Sequence, residues 1–300
     1  EIVATGSSLK FLLIAEGKPA EALKAFEVAS AAAAGPDAAY HKLWALEGMA
    51  RSDLSLGNVS SARSRYIEAA RQSEAIRSKF RSEEFKSGLF GDVQKIFEQA
   101  IVLSMDAGDI EGAWQLSERS RARALLDVVR ERVAADSESS AAVSLKELLA
   151  SLRKGETLVQ FHSLDDRLLV WIVSDGKMEG RSLPLRSADL GAAVEAFRRS
   201  IFERRRTTVE LADALHEKLL GPLALPADQR LIIVPHRGLH YLPFQALRTK
   251  DGYLIQRNPI AVVPSASVAL QLAKRRFDAS SKLVAFGNPA NGAREDLPGA

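Results

Sequence analysis

A chain of 300 residues with 46% hydrophobic and 26% charged residues has an ordinary globular composition and enough length for two domains. Its formal net charge of +3 is too small to indicate, by itself, a surface that binds nucleic acid. The absence of cysteine excludes disulfides, thiolate zinc sites and a cysteine nucleophile within this chain. No apolar run approaches the roughly 20 residues that a membrane-spanning helix needs. We therefore expect no membrane contact and a cytoplasmic location.

Three segments of the first half share one pattern of residues. GKPAEALKAFEVA, GNVSSARSRYIEA and GDIEGAWQLSERS begin at Gly17, Gly57 and Gly108. Each glycine is followed five residues later by an alanine: Ala22, Ala62 and Ala113. Four residues further on stands an aromatic residue in two copies and a serine in the third: Phe26, Tyr66 and Ser117. The pattern predicts antiparallel helix pairs, with glycine in the turn, alanine at a close helix contact and the aromatic on the same face.

This spacing resembles that of tetratricopeptide (TPR) repeats. The copies depart from the family where Leu46 replaces a tryptophan and where Ser117 takes the aromatic place. An unspecialised helical bundle is the alternative. The resemblance implies a concave groove that binds a protein or peptide, and nothing in the sequence identifies that ligand. We predict that three large aromatic residues belong to the core rather than to the groove: Tyr40, Trp44 and Trp114.

An arginine-rich helix follows the third copy. SERSRARALLDVVRERV carries five arginines between apolar residues: Arg119, Arg121, Arg123, Arg130 and Arg132. A basic binding surface is one interpretation, but a solvated face opposite an apolar face is favoured. The small polar residues 134–141 predict a linker, and Leu145–Leu152 predict a short helix. We place the domain boundary near residue 140, with helical repeats in residues 1–140 and a second domain in residues 141–300.

Apolar runs separated by helices predict an α/β layered sheet in the second half. Strands are expected at 157–161, 168–173, 178–183, 231–234, 260–263 and 282–286, with a hairpin turn at Asp175-Gly176. Helices are expected at 188–203, 207–220 and 265–276. The run Arg230–Leu247, RLIIVPHRGLHYLPFQAL, organises this half, because a buried strand stops at Pro235 and the chain folds back over the strand end.

From about residue 110 the chain resembles the CHAT domain, the caspase-like domain associated with TPR repeats in bacteria. The resemblance lies in an ordered series of short motifs: Val234-Pro235, Pro243-Phe244, Tyr253-Leu254-Ile255, Pro264–Ser267, Gly287-Asn288-Pro289 and Leu297–Ala300. It implies a caspase- and separase-like fold, in which a histidine activates a cysteine for attack on a peptide carbonyl. The expected fold class is thus a TPR-like helical solenoid followed by a caspase-like α/β sheet that is incomplete at its C-terminus.

The resemblance gives no catalytic residue to this chain. In CHAT domains the dyad lies in a His-Gly motif and an Ala-Cys motif after the Leu-Pro-Gly-Ala segment, and neither motif occurs here. The chain begins at Glu1 without methionine and ends in a loop, so we expect a fragment of a longer protein. We predict that these 300 residues have no peptidase activity, whereas the full-length protein is either a cysteine peptidase or a non-catalytic interaction scaffold.

The sequence gives little support for a metal site, a serine nucleophile or a phosphate-binding site. His236 and His240 flank Gly238 in a loop and lack a third metal ligand, so exposed loop histidines or packing beside the catalytic half are favoured over zinc. Ser265 and Ser267 have no GxSxG elbow, which favours helix capping over a nucleophile. No phosphate-binding glycine motif is present, and we expect no cofactor or metal.

The densest basic cluster is RRSIFERRR, with Arg198, Arg199, Arg204, Arg205 and Arg206. One interpretation is a surface that binds nucleic acid or an acidic partner. Without interleaved aromatic residues, a solvated helix end is favoured, and we expect no nucleic-acid partner.

Overall fold

The structure is a computed structural model that describes residues 13–35, 38–79, 83–130 and 143–274. Several predicted features lie outside the described residues. They are the linker at 134–141, the strand at 282–286 and the segment Leu297–Ala300.

Among the described residues, the N-terminal part contains the end of a helix at 13–15 and five further helices: α1 (Pro19–Ala32), α2 (Ala38–Ser55), α3 (Val59–Lys79), α4 (Glu83–Asp106) and α5 (Ile110–Arg130). Each helix packs against the next one along the chain. The three repeat glycines lie in turns, with φ angles of +77°, +79° and +78° that a side chain would strain. The three repeat alanines are fully buried, as are the residues four positions later. The local geometry predicted for the three segments is therefore present in each copy.

The predicted aromatic core residues have different environments. Trp114 is fully buried, as predicted. Tyr40 and Trp44 are partly exposed, and their rings meet edge to face at 5.9 Å on α2. Only Trp114 therefore has the full burial expected of a core residue.

In the part of the second half that the structure describes, five strands form a mixed sheet. Its strands are β1 (Glu156–Ser163), β2 (Leu168–Ser174), β3 (Lys177–Leu183), β4 (Arg230–Val234) and β7 (Ile260–Val262), in the order β3-β2-β1-β4-β7. The strands β1, β2 and β3 pair antiparallel, whereas β1, β4 and β7 run parallel. Asp175 and Gly176 both have positive φ between β2 and β3, as the predicted hairpin turn requires. A separate two-stranded ribbon is made by β5 (Arg248–Thr249) and β6 (Gly252–Tyr253).

Five helices accompany the sheet: α6 (Leu145–Ser151), α7 (Ser187–Phe202), α8 (Thr208–Leu219), α9 (Leu254–Arg257) and α10 (Ala266–Lys274). A capping box between Ser144 and Glu147 starts α6. Short 3-10 turns follow β4 at Arg237–Tyr241 and Phe244–Ala246. The predicted strands and helices within the described residues are confirmed, with ends that differ by one or two positions, while the predicted end of the last helix at 276 lies outside the described residues.

Alternate residues of β1 point to opposite faces of the sheet. Val159 and Phe161 belong to an apolar core shared with α7 and α8. Leu158 belongs to a second core, which also contains residues of α2 to α6, β2, β4 and α10. The N-terminal helices thus cover one face of the sheet, and α7 and α8 cover the other. A helical N-terminal region followed by an α/β part agrees with the predicted fold class at that level.

Within the described ranges, no helix is both long and apolar enough to cross a membrane.

Candidate functional site

One face of α5 carries residues that contact the sheet through polar groups. Trp114, Ser117, Glu118 and Arg121 are spaced three, four and seven residues apart, which places them on a single helical face. Opposite them, β1 presents polar side chains at alternate positions, Gln160 and His162. We use the name buried polar cluster for the residues that meet here, which are Trp114, Ser117, Glu118, Arg121, Gln160, His162, His236 and Ser267.

Arg121 lies at the centre of the buried polar cluster and is only 8% exposed. Its Nη1 donates to the carbonyl of Pro235 at 2.5 Å, and its Nη2 donates to the carbonyl of Phe161. These two carbonyls lie near the carboxyl ends of the parallel strands β4 and β1. Burial lowers the pKa of Arg121 to about 10, opposed by the nearby Glu118 carboxylate, so the guanidinium is charged at neutral pH. One side chain of α5 therefore joins the ends of two central strands.

A chain of hydrogen bonds runs from Trp114 to His162. Trp114 Nε1 donates to Gln160 Oε1 at 3.0 Å, and Gln160 Nε2 donates to Ser117 Oγ at 3.3 Å. Ser117 Oγ lies 3.0 Å from His162 Nδ1. Which of these two atoms donates the shared proton depends on the tautomer of the His162 ring. The orientation of every member is set by its neighbour.

The rings of His162 and His236 stack, with centroids 4.3 Å apart and an interplanar angle of 19°. His236 Nδ1 accepts a hydrogen bond of 2.9 Å from the main-chain N–H of Ser163. Burial is the main cause that lowers the pKa of both histidines, and the nearby Arg121 and Arg237 cations lower it further. Both rings are therefore neutral at physiological pH, which allows them to stack without repulsion.

Glu118 links α5 to the start of α10. Its Oε2 accepts hydrogen bonds of 3.0 Å from both the N–H and the hydroxyl of Ser267. A carboxylate at the N-terminus of a helix is favoured by the helix dipole and by the free N–H groups there. Within the buried polar cluster, Glu118 Oε1 and His162 Nε2 are buried and have no hydrogen-bond partner among the described residues. The same face of α5 thus holds β1, β4 and α10.

Arg237 fixes the loop after β4 to the N-terminal helices. Its Nη2 pairs with Glu98 of α4 at 2.7 Å, and its Nη1 pairs with Asp165 of the β1–β2 turn at 3.0 Å. Its φ of +49° lies in the left-handed region, which is uncommon for a residue with a side chain. These contacts connect the residue after His236 to α4 and to the β1–β2 turn.

The Ser117–His162 hydrogen bond has the donor and acceptor types of a nucleophile and its base. Both side chains are buried, with His162 2% exposed and Ser117 fully enclosed. A substrate carbonyl has no access to the Ser117 hydroxyl in this arrangement. The pair is a buried contact between α5 and β1.

The structure corrects the interpretation of Arg121 as part of a solvated face. The side chain is buried because it satisfies two strand-end carbonyls that α5 brings within reach. Arg119 is partly exposed and pairs with Glu74 of α3. The side chains of Arg123 and Arg130, and the whole of Arg132, lie outside the described part of the chain.

The two loop histidines have different environments. His236 packs inside the buried polar cluster, whereas His240 is exposed. Across the described residues, no group of three potential metal ligands forms. Ser265 accepts from the N–H of Val268 at 3.1 Å and caps α10, as predicted, while Ser267 binds Glu118. Neither serine has a histidine partner among the described residues.

Sequence reasoning missed Glu118, Gln160 and His162. A usable signal exists in the strand TLVQFHS, where polar residues alternate within a run expected to be buried. A second signal is Ser117, which takes the aromatic position of the third repeat segment. Serine stands there because this helix faces a polar strand end, whereas Phe26 and Tyr66 belong to apolar cores.

Two parts of the buried polar cluster lie in the last third of the chain. They are the loop after β4 and the start of α10. Residues 209–300 match the family model of the CHAT domain. This supports a CHAT domain in this part of the chain, which is less than a third of the 300 residues. The CHAT match covers β4, β7 and α10, and therefore Pro235, His236 and Ser267, but it begins after α5 and β1. No curated protein matches the chain.

Proposed function

We propose that the chain is the recognition and scaffold portion of a caspase-like cysteine peptidase. TPR-like repeats formed by the N-terminal helices bind a partner or substrate, and α5 couples that binding to the CHAT domain. The observation that carries the proposal is the contact of Arg121 with the carbonyls of Phe161 and Pro235. Through it, the helix of the third repeat segment holds the carboxyl ends of β1 and β4.

The repeat assignment draws support from the turn glycines and the buried alanines. Gly17, Gly57 and Gly108 adopt nearly the same φ, and the alanine five residues after each is fully buried. The equivalence at three separate places favours repeated helix pairs over an unspecialised bundle. Such repeats present a concave surface to peptides.

The coupling follows from the shared face of α5. A rotation of this helix moves Glu118 and Arg121 together, because they lie three residues apart on one helical face. Glu118 then acts on α10 and Arg121 acts on β1 and β4. In α/β sheets the carboxyl ends of parallel strands are the usual position of active sites. Binding in the helical region thus has a physical path to the edge where CHAT-domain chemistry is expected.

The chain has no cysteine, so the thiol of the proposed peptidase is supplied by residues outside these 300. Alkylation of thiols in the full-length protein therefore tests whether the peptidase activity depends on a cysteine. A fluorogenic tetrapeptide library would be used as substrate, with and without alkylation by iodoacetamide. We expect cleavage that alkylation abolishes, and that a Cys→Ala change in an Ala-Cys motif also abolishes. Absence of such a motif, or of cleavage, supports the non-catalytic scaffold instead.

The coupling is tested separately with Arg121→Lys in the same full-length protein. We expect peptidase activity to fall while the affinity of the helical repeats for their partner is kept, because a lysine side chain offers no planar fork for two carbonyls. Arg119→Ala, two residues away on α5, is the matched control. Equal activity of the two variants would contradict coupling through Arg121.

A further inference from the structure

The turn between α7 and α8 exposes a combination of apolar and basic side chains. We use the name α7–α8 tip for the surface formed by Arg198, Ile201, Phe202, Arg204, Arg206 and Tyr241. It lies on the side of the sheet opposite to the N-terminal helices, since α7 packs in the other core. The α7–α8 tip is thus separate from the helical repeats.

Phe202 is the most exposed large apolar side chain among the described residues, at 88%. Its neighbour Ile201 is 40% exposed. Leaving a phenylalanine in water forgoes the stabilisation that its burial would give, and nothing in the fold requires an aromatic residue at the end of α7. Exposed apolar side chains with a polar rim are typical of interaction sites.

Only some of the arginine side chains near Phe202 are paired with acidic residues. Arg205 pairs with Glu203 and Arg199 pairs with Glu195. Over the described part of the chain, Arg204 and Arg206 have no acidic partner. Arg198 lies over the ring of Tyr241, with its guanidinium carbon 5.1 Å from the ring centroid. Arginine and aromatic side chains are the groups most enriched at the energetic centres of protein interfaces.

Arg204 occupies a backbone position that favours glycine. Its φ is +52°. The N–H of Arg204 donates to Ile201 O and the N–H of Arg205 donates to Ser200 O, which together form a Schellman motif at the end of α7. Glycine is the usual residue at the left-handed position of this motif. An arginine there costs folding stability, which points to a use for its side chain other than folding.

We propose that the α7–α8 tip binds an acidic protein segment that carries exposed apolar side chains. Phe202 and Ile201 pack against the apolar side chains of the partner, and Arg204 and Arg206 bind its carboxylates. Residues 195–210 contain five arginines and three glutamates, a net charge of only +2. Anionic bilayers and nucleic acid attract dense, unopposed positive charge. Interspersed glutamates instead favour a partner whose carboxylates match individual arginines.

The α7–α8 tip is also connected to the buried polar cluster. Tyr241 ends the 3-10 turn that starts at Arg237, next to His236. A side chain on Gly238 would lie 3.4 Å from the Cα of Gly191, so α7 and this turn approach closely. A partner that covers Tyr241 therefore contacts the loop after β4 directly. The inference concerns a different surface from the proposed function and does not depend on it.

The probe is a fluorescein-labelled 18-residue helical peptide with leucines on one stripe and glutamates beside them. Its affinity for the protein would be measured by fluorescence anisotropy at two salt concentrations. We expect binding that weakens with salt and that falls at least about tenfold when the glutamates of the peptide are replaced by glutamine. Phe202→Ser and the double change Arg204→Ala with Arg206→Ala should each weaken binding about tenfold or more.

Arg204→Gly separates binding from folding. This change relieves the left-handed strain, so the melting temperature should rise by roughly 2 °C while binding weakens. Val28→Ser on α1 and Arg153→Ala before β1 alter exposed side chains elsewhere and should leave binding unchanged. The proposal is overturned if the peptide fails to bind, or if the tip variants bind it as wild type does. Tighter binding to phosphatidylserine vesicles or to duplex DNA than to the peptide overturns it as well.

Discussion

The guanidinium of Arg121 lies between two main-chain carbonyls that no other described side chain reaches. Buried carbonyls without a partner cost free energy, and a buried cation without acceptors costs more. Arg121 avoids both costs at once, because its planar group has five donors in a fixed arrangement. The contribution of Arg121 to folding stability therefore depends on the planar shape of its guanidinium as well as on its charge.

Replacing Arg121 by alanine should lower the free energy of unfolding by about 3 kcal/mol, because two buried carbonyls lose their donor. Arg121→Lys should lower it by about 1–2 kcal/mol, since one ammonium group cannot satisfy both carbonyls. Arg119→Ala breaks a partly exposed pair with Glu74 and should cost at most about 1 kcal/mol. Guanidinium unfolding followed by circular dichroism measures all three. A loss for Arg119→Ala as large as that for Arg121→Ala would contradict this assignment.

The stacked histidines predict a dependence of stability on pH. The pKa of His162 and of His236 is lowered in the folded state, mainly by burial, while the unfolded values lie near 6.5. Above about pH 6.5 both states are neutral and stability is constant with respect to these groups. Below pH 6.5 the unfolded chain binds protons that the folded protein does not bind. The free energy of unfolding therefore falls by about 1.4 kcal/mol per pH unit for each histidine.

Measuring the free energy of unfolding between pH 8 and pH 5 tests this expectation. His162→Gln removes one titrating group and should make the slope below pH 6.5 shallower, whatever its effect at pH 8. His41→Gln, on α2 and away from the buried polar cluster, is the control. If the slope of His162→Gln equals that of wild type, His162 is not the group responsible.

Helix packing in the first repeat segment depends on Gly48. A Cβ at Gly48 would lie 2.3 Å from the ring of Phe26, so α1 and α2 touch where glycine has no side chain. Gly48→Ala should therefore destabilise the protein by about 1–3 kcal/mol, despite the better helix propensity of alanine. Gly191→Ala on α7 meets nothing within 4 Å and should stabilise by about 0.5–1 kcal/mol. Opposite signs in thermal unfolding confirm the packing, and equal signs contradict it.

Most elements could be predicted from the sequence because their signals are local. β2 is a continuous apolar run, and the Asp175-Gly176 turn that follows it has the residues its φ angles require. The buried polar cluster could not be predicted in this way. Arg121 and Pro235 are 114 residues apart, and whether an arginine on a helix is solvated depends on which strand ends lie opposite it. The prediction that RRSIFERRR has no interleaved aromatic residue is wrong, because Phe202 lies within that cluster.

The apolar core between the helices and the sheet contains residues from both sides of residue 140. Tyr66 of α3 and Trp114 of α5 belong to the same core cluster as Leu158 of β1. Trp171 of β2 adds a hydrogen bond of 3.1 Å to the carbonyl of Ile110. The division near residue 140 remains a prediction about domains, and the shared core indicates that the two parts unfold together.

Native-state hydrogen exchange at increasing guanidinium concentration tests joint unfolding. Amides of α3, α5 and β1 should converge on one free energy of opening, because they share one core. Helix α1 should open at lower free energy, since Ala22 and Phe26 lie in a separate small core. The two classes of amide serve as controls for each other. Opening of α3 at a clearly lower free energy than β1 would show that the helices unfold independently.

The long sequence separation of the Arg121 contact has a consequence during synthesis. At roughly 5–20 residues per second, the ribosome needs about 6–23 seconds to add the 114 residues between Arg121 and Pro235. Throughout this interval the nascent α5 has no sheet to cover it. Its sheet-facing stripe includes Ser117, Glu118 and Arg121, which water can hydrate, and not only apolar residues. We expect this stripe to limit aggregation of the unfinished chain until β4 is made.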